Sequence, residues 1–143
     1  MSHDLLEDLK ALHTAAIDAR GGYEEARDDA EGRSTRPLFQ EMIALHTRNA
    51  DDLAHVLQRS GAPVGEDGSF MTTVNRTVMS LRSLLGGLGD GVVRALIDAE
   101  TRNLSRYDDV LKSAEAPPDV REVLTKNRER LEAAIARMRT LKL

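Results

Sequence analysis

Glu100 stands where a leucine would be expected. Val93, Ile97, Glu100, Leu104, Tyr107 and Leu111 follow one another at spacings of 4, 3, 4, 3 and 4, which places them on one helix face. A carboxylate turned toward a core is costly unless it is paired, hydrogen-bonded or bound to a metal ion. Inward glutamates are how carboxylate metal centres are made in four-helix bundles, so metal binding or oxidase chemistry is the first chemistry to weigh. A di-metal centre of that kind wants a glutamate from each of two helices and a Glu-x-x-His from each of the other two. The four histidines, His3, His13, His46 and His55, all lie in the first half of the chain, and no Glu-x-x-His occurs. Asp52-x-x-His55 comes nearest, but Leu53 and Val56 put Asp52 on a flank.

His46 falls within the stripe Phe39, Ile43, His46, Ala50, Leu53 and Leu57. It reads first as a hydrogen-bonded core histidine, placed near Gly22 across a hairpin, and second as a mononuclear metal ligand beside Glu100. One histidine and one glutamate hold iron, zinc or manganese only with further ligands, for which Glu41 and Glu132 are the candidates. Glu100 has its own structural readings. It could pair with His46 or an arginine, accept from Tyr23 or an asparagine, or sit at the rim if the stripe is displaced by one residue. Such buried polar groups fix register at some expense in stability. Asn49, Asn103 and Asn127 lie on or beside the seams and suit hydrogen bonding between helices. Tyr23 and Tyr107 would pack their rings and turn their hydroxyls to a polar partner. No catalytic residue and no cofactor site is read from these patterns. Gly86-Gly87-Leu88-Gly89-Asp90-Gly91 matches a phosphate loop only in its glycine count; no strand precedes it and no Gly-Lys-Ser/Thr follows.

The elements that must position these residues are helices throughout, since no alternating strand pattern occurs. Helix 1 is predicted from about Ser2 or Asp4 to Glu31, with Leu5, Leu9, Leu12, Ala16, Ala19, Tyr23, Ala26 and Ala30 as its seam. Ser34 or Thr35 is placed to cap helix 2, with Pro37 in its first turn. That helix runs to about Ser60, with Leu38, Met42, Leu45, Asn49 and Val56 flanking the stripe. Gly61 and Pro63 stop it. A loop over 61–69 leads to a short helix, about Phe70 to Leu85. Helix 3 covers about Val92 to Ala114. Pro117 and Pro118 turn the chain into helix 4, about Asp119 to Leu141, whose seam is Val120, Leu124, Asn127, Leu131, Ala134, Met138 and Leu141. Two helical hairpins joined by a long crossover with its own short helix make an all-α, up-down, ferritin-like four-helix bundle. The 143 residues suit one domain spanning 1–143.

Composition narrows the function classes. Aromatic residues are 3% of the chain and Trp is absent, which argues against base-stacking platforms. Twenty basic and 24 acidic residues are interspersed, so no phosphate-binding surface forms and nucleic acid is not expected as a partner. Without cysteine there are no disulfides, thiolate metal sites or cysteine nucleophiles. No signal-peptide pattern and no apolar run of membrane-spanning length are present, so a cytoplasmic location is expected.

Several short stretches carry a family likeness. They are Gly22-Tyr23-Glu24-Glu25-Ala26, Leu38-Phe39-Gln40-Glu41, Val74-Asn75-Arg76-Thr77-Val78, Glu100 seven residues before Tyr107, and Pro118-Asp119-Val120-Arg121. In that order the chain resembles, over about residues 4–142, a ferritin-like bacterial family catalogued as a domain of unknown function. The resemblance implies a ferritin-like bundle tied to envelope or stress contexts. Two departures stand out: Ile135 occupies a place where members often carry histidine, and the family's crossover tryptophan is replaced near Val78.

Three function classes follow. The preferred one is a non-enzymatic, self-associating bundle with a degenerate metal site, expected to be a homodimer because the crossover from Phe70 to Leu88 is more apolar than one bundle face requires. The second is a metal-binding protein or oxidase using Glu100 and His46. The third is a protein-binding module working through the apolar segment Phe70–Leu88.

Overall fold

In the computed structural model, residues 2–29, 35–61, 91–113 and 115–141 are described, and among them the chain forms four α-helices and no strand. They are α1 (His3–Asp29), α2 (Arg36–Arg59), α3 (Gly91–Lys112) and α4 (Pro118–Arg139). The crossover helix expected over Phe70–Leu85, and the partner surface expected over Phe70–Leu88, lie outside the described residues.

Helix ends follow local chemistry. The Ser2 hydroxyl accepts from the Leu5 N–H at 3.1 Å, capping α1, and donates to Glu115 at 2.6 Å, tying that end to the α3–α4 connection. Thr35 precedes α2 but makes no side-chain capping bond; Pro37 starts the helix instead. Gly61, at φ 80°, takes the left-handed conformation that closes α2, and its N–H bonds to the Gln58 carbonyl. α3 ends before the expected Ala114. Arg121 reaches back from α4 to donate to the carbonyls of Leu111 and Ser113, both at 2.8 Å, so two orphan acceptors of that helix end are filled. Pro118 then begins α4 without the N–H that a first turn leaves unused.

α1 packs along α2 and α3 along α4, giving two helical hairpins. The hairpins meet through α2 against α4 and α1 against α3, which leaves α2 and α3 facing each other across the bundle diagonal. The α1 seam is buried from Leu5 to Ala26, and the α4 seam from Val120 to Met138, while Leu141 is exposed. On α2 the burial is wider than one stripe, because Leu38, Met42, Leu45 and Val56 are buried along with Phe39 and Leu57. On α3 the buried line is Val92, Leu96, Glu100, Tyr107 and Val110, while Val93, Ile97, Leu104 and Leu111 are half-buried beside it. The stripe is thus displaced by one residue over most of the helix, yet Glu100 keeps its place within the core.

Candidate functional site: two polar layers in the bundle core

Two polar layers, one helical turn apart on α2, cross the core, and His13 and Asp18 of α1 are buried besides. The first is built on His46 and Glu100. They project from α2 and α3 toward each other across the diagonal, each no more than 3% exposed, and His46 Nε2 lies 2.8 Å from Glu100 Oε2. With the carboxylate as acceptor, the imidazole N–H is the donor. The other carboxylate oxygen accepts from Asn103 Nδ2 at 3.1 Å, one turn along the same helix. Both oxygens of Glu100 are therefore hydrogen-bonded. Asn103 serves its own helix, rather than joining two helices as its seam position suggests.

Tyr23 from α1 covers the pair. Its ring stacks on the His46 ring, with centroids 5.8 Å apart and planes at 18°, and also tilts against the Phe39 ring. Its hydroxyl is buried and has no hydrogen-bond partner among the described residues. Burial, and after it the nearby Glu100 carboxylate, push the Tyr23 pKa well above the usual tyrosine value.

The second layer joins α2 to α4. Asn49 and Asn127 donate their amides to each other's backbone carbonyls, at 3.4 and 3.2 Å, and the Asn127 amide also donates to Tyr107 Oη at 3.2 Å. Arg130, three residues after Asn127, gathers the remaining acceptors: Asn49 Oδ1 at 3.1 Å, Asn127 Oδ1 at 2.8 Å and Asp52 Oδ2 at 2.6 Å. Burial raises the Tyr107 pKa in spite of the opposing Asn127 hydrogen bond. Arg130 escaped the sequence reading because its head lies at the rim. The one available signal was its place one turn after a seam asparagine.

The two outlying candidate ligands lie elsewhere. Glu41 forms an ion pair with Arg137, between α2 and α4, and Glu132 is exposed and paired with Arg128 at 2.6 Å, while Arg128 also binds Asp108. So Glu100 and His46 meet, while Glu41 and Glu132 are held by arginines on other faces. Among the described residues no cluster of three or more His, Cys, Asp and Glu could hold a metal ion.

A narrow cleft reaches the polar layers between α1 and α3. Ala15 and Ala16 of α1 face Asn103 and Tyr107 of α3, and His46 and Asn49 lie within its lining. The alanines leave the space that larger side chains would fill. It offers about 10 Å³ to the centre of a water molecule, which is room for one.

The two tyrosines give the core an alkaline signature. Each has a folded-state pKa above the unfolded value of about 10, so stability is fully present below pH 10 and is lost as the pH rises beyond it. Between pH 9 and 11 the two together are expected to remove roughly 2–3 kcal/mol. Urea titrations across that range check this. Tyr23→Phe should roughly halve the loss while leaving stability at pH 7 unchanged or about 1 kcal/mol higher, since it deletes a buried hydroxyl without a described partner.

Among the described residues no helix is long and apolar enough to cross a membrane. Residues 4–113, well over half of the chain, match the model of a family described as Domain of unknown function (DUF2383). The matched span contains Tyr23, His46, Glu100, Asn103 and Tyr107 and stops before α4, so Asn127 and Arg130 lie beyond it. No curated protein and no solved structure matches the chain.

Proposed function

The chain belongs to the DUF2383 family, and from that membership we propose that it is a non-enzymatic, self-associating ferritin-like bundle whose ancestral metal site is reduced to the His46–Glu100 hydrogen bond. The observation that supports this is the state of Glu100. Its two oxygens are taken by His46 Nε2 at 2.8 Å and Asn103 Nδ2 at 3.1 Å. A metal ion there would have to displace a proton and an amide, with a single imidazole as its nitrogen ligand. Glu41 and Glu132, the carboxylates that would complete such a set, are neutralised by Arg137 and Arg128. The polar core then does structural work: it aligns two hairpins that apolar seams alone would let slide. A stress- or envelope-related setting is what the family likeness adds to this reading; the sequence patterns add a cytoplasmic location, and the chain length one domain spanning 1–143.

One observation favours the second reading: the two strongest candidate ligands do converge on one point in the core. Metal analysis separates the two. Protein purified without a histidine tag, exposed to Fe(II), Zn(II) or Mn(II) and then desalted, is expected to retain less than about 0.1 equivalents per chain. Retention near one equivalent, lost in His46→Ala, would overturn the degenerate-site reading in favour of a metal-binding protein. Self-association is checked by light scattering across a dilution series, where a dimer is expected. A monomer at every concentration would remove that part of the proposal.

A further inference from the structure

The cleft between α1 and α3 is lined by groups that the two polar layers leave unused. His46 Nε2 is committed to Glu100, so with the imidazole neutral Nδ1 is the ring's remaining acceptor, and the bond to Glu100 is the hydrogen bond His46 makes among the described residues. Tyr107 Oη accepts from Asn127, but its own proton meets no acceptor among those residues. Asn103 spends its amide nitrogen on Glu100 and keeps its carbonyl oxygen. One donor and two acceptors thus belong to residues lining a space sized for a single water.

We propose that this cleft is a binding site for one water molecule, which accepts from the Tyr107 hydroxyl and donates to His46 Nδ1 and to the Asn103 carbonyl. Three such partners are what a buried water ordinarily has. The space suits a single water, which supplies both roles at once, as donor and acceptor. Its half-buried edge, at Ala15 and Asn103, provides a way in from solvent. The bound water joins the two layers into one hydrogen-bonded chain. That chain runs from Glu100 through His46, the water, Tyr107, Asn127 and Arg130 to Asp52. This goes beyond the proposed function, because it holds whether the core serves structure alone or also binds a metal.

The test is nuclear magnetic resonance on the full chain with labelled methyl groups. Cross-relaxation between a long-lived water and the Ala16 and Leu131 methyls is expected in the unaltered protein, and its absence would overturn the proposal. Ala16→Val fills the cleft and should abolish the Leu131 cross-peak and lower the thermal midpoint, because Tyr107 and His46 lose their common partner. A raised midpoint would mean that the cleft is dry, and would also overturn it. Overpacking alone could lower the midpoint, so a second variant reads the chemistry directly. Tyr107→Phe should move the His46 Nδ1 nitrogen resonance while leaving Nε2 in place. An unmoved Nδ1 resonance would refute the bridge.

Discussion

Glu100→Leu is expected to lower the unfolding free energy by about 3 kcal/mol. The loss does not come from leucine, which suits the site in volume. It comes from what leucine leaves behind. His46 Nε2–H loses its acceptor at 2.8 Å, Asn103 loses its own at 3.1 Å, and both stay in the bundle. Glu100→Gln should cost less, about 1–2 kcal/mol, because one oxygen remains to accept. The paired change His46→Leu with Glu100→Leu should recover most of the loss, since removing both members of a buried pair is often neutral or stabilising. Chemical denaturation of the unaltered chain, His46→Leu, Glu100→Leu and the double variant completes a double-mutant cycle. If Glu100→Leu alone proved harmless, the His46–Glu100 bond could not be what satisfies these groups.

The second large effect belongs to Asn127, which is fully buried. Asn127→Ala should cost about 2–4 kcal/mol, combining a small cavity with the loss of partners for Tyr107 Oη and Arg130. Arg130→Met should cost only about 1 kcal/mol, because Asp52 and the arginine head reach the solvent-facing rim. That ordering, with the neutral amide outranking the charged guanidinium, is open to thermal or urea unfolding. The reverse would place the strength of the α2–α4 contact in the Arg130–Asp52 ion pair instead.

The legible parts of this fold were those where apolar residues recur without competitors. On α1, leucines and alanines at spacings of 4 and 3 name a single face, and that face is buried. On α3, Val92 and Val93, then Leu96 and Ile97, stand as adjacent apolar pairs. Periodicity cannot choose between neighbours of equal hydrophobicity; packing against α1 and α4 chooses the first of each pair. Seam positions brought His46 and Glu100 forward as a possible pair, because both interrupt apolar stripes. Nothing in their spacing selected Asn103 as the second donor, or placed the Tyr23 ring on the imidazole. Those choices depend on rotamers and on the distance between hairpins. Arg130 was hidden for another reason: a long side chain can carry its charge to the rim while its Cα follows the core.

The hydrogen bonds from α2 to the second hairpin have a consequence in time. They join residues 54, 78 and 81 positions apart in the sequence. Each hairpin, by contrast, closes over a connection of a few residues. Contacts that close long loops repay their entropy late, after local pairs have formed. The polar layers therefore belong to the docking of two preformed hairpins, and their strength is felt on the way out of the folded state. Weakening them hastens escape more than it slows arrival. In a bundle whose core is aligned by His46, Asn49 and Asp52 along one helix, these residues set how long each folded molecule lasts.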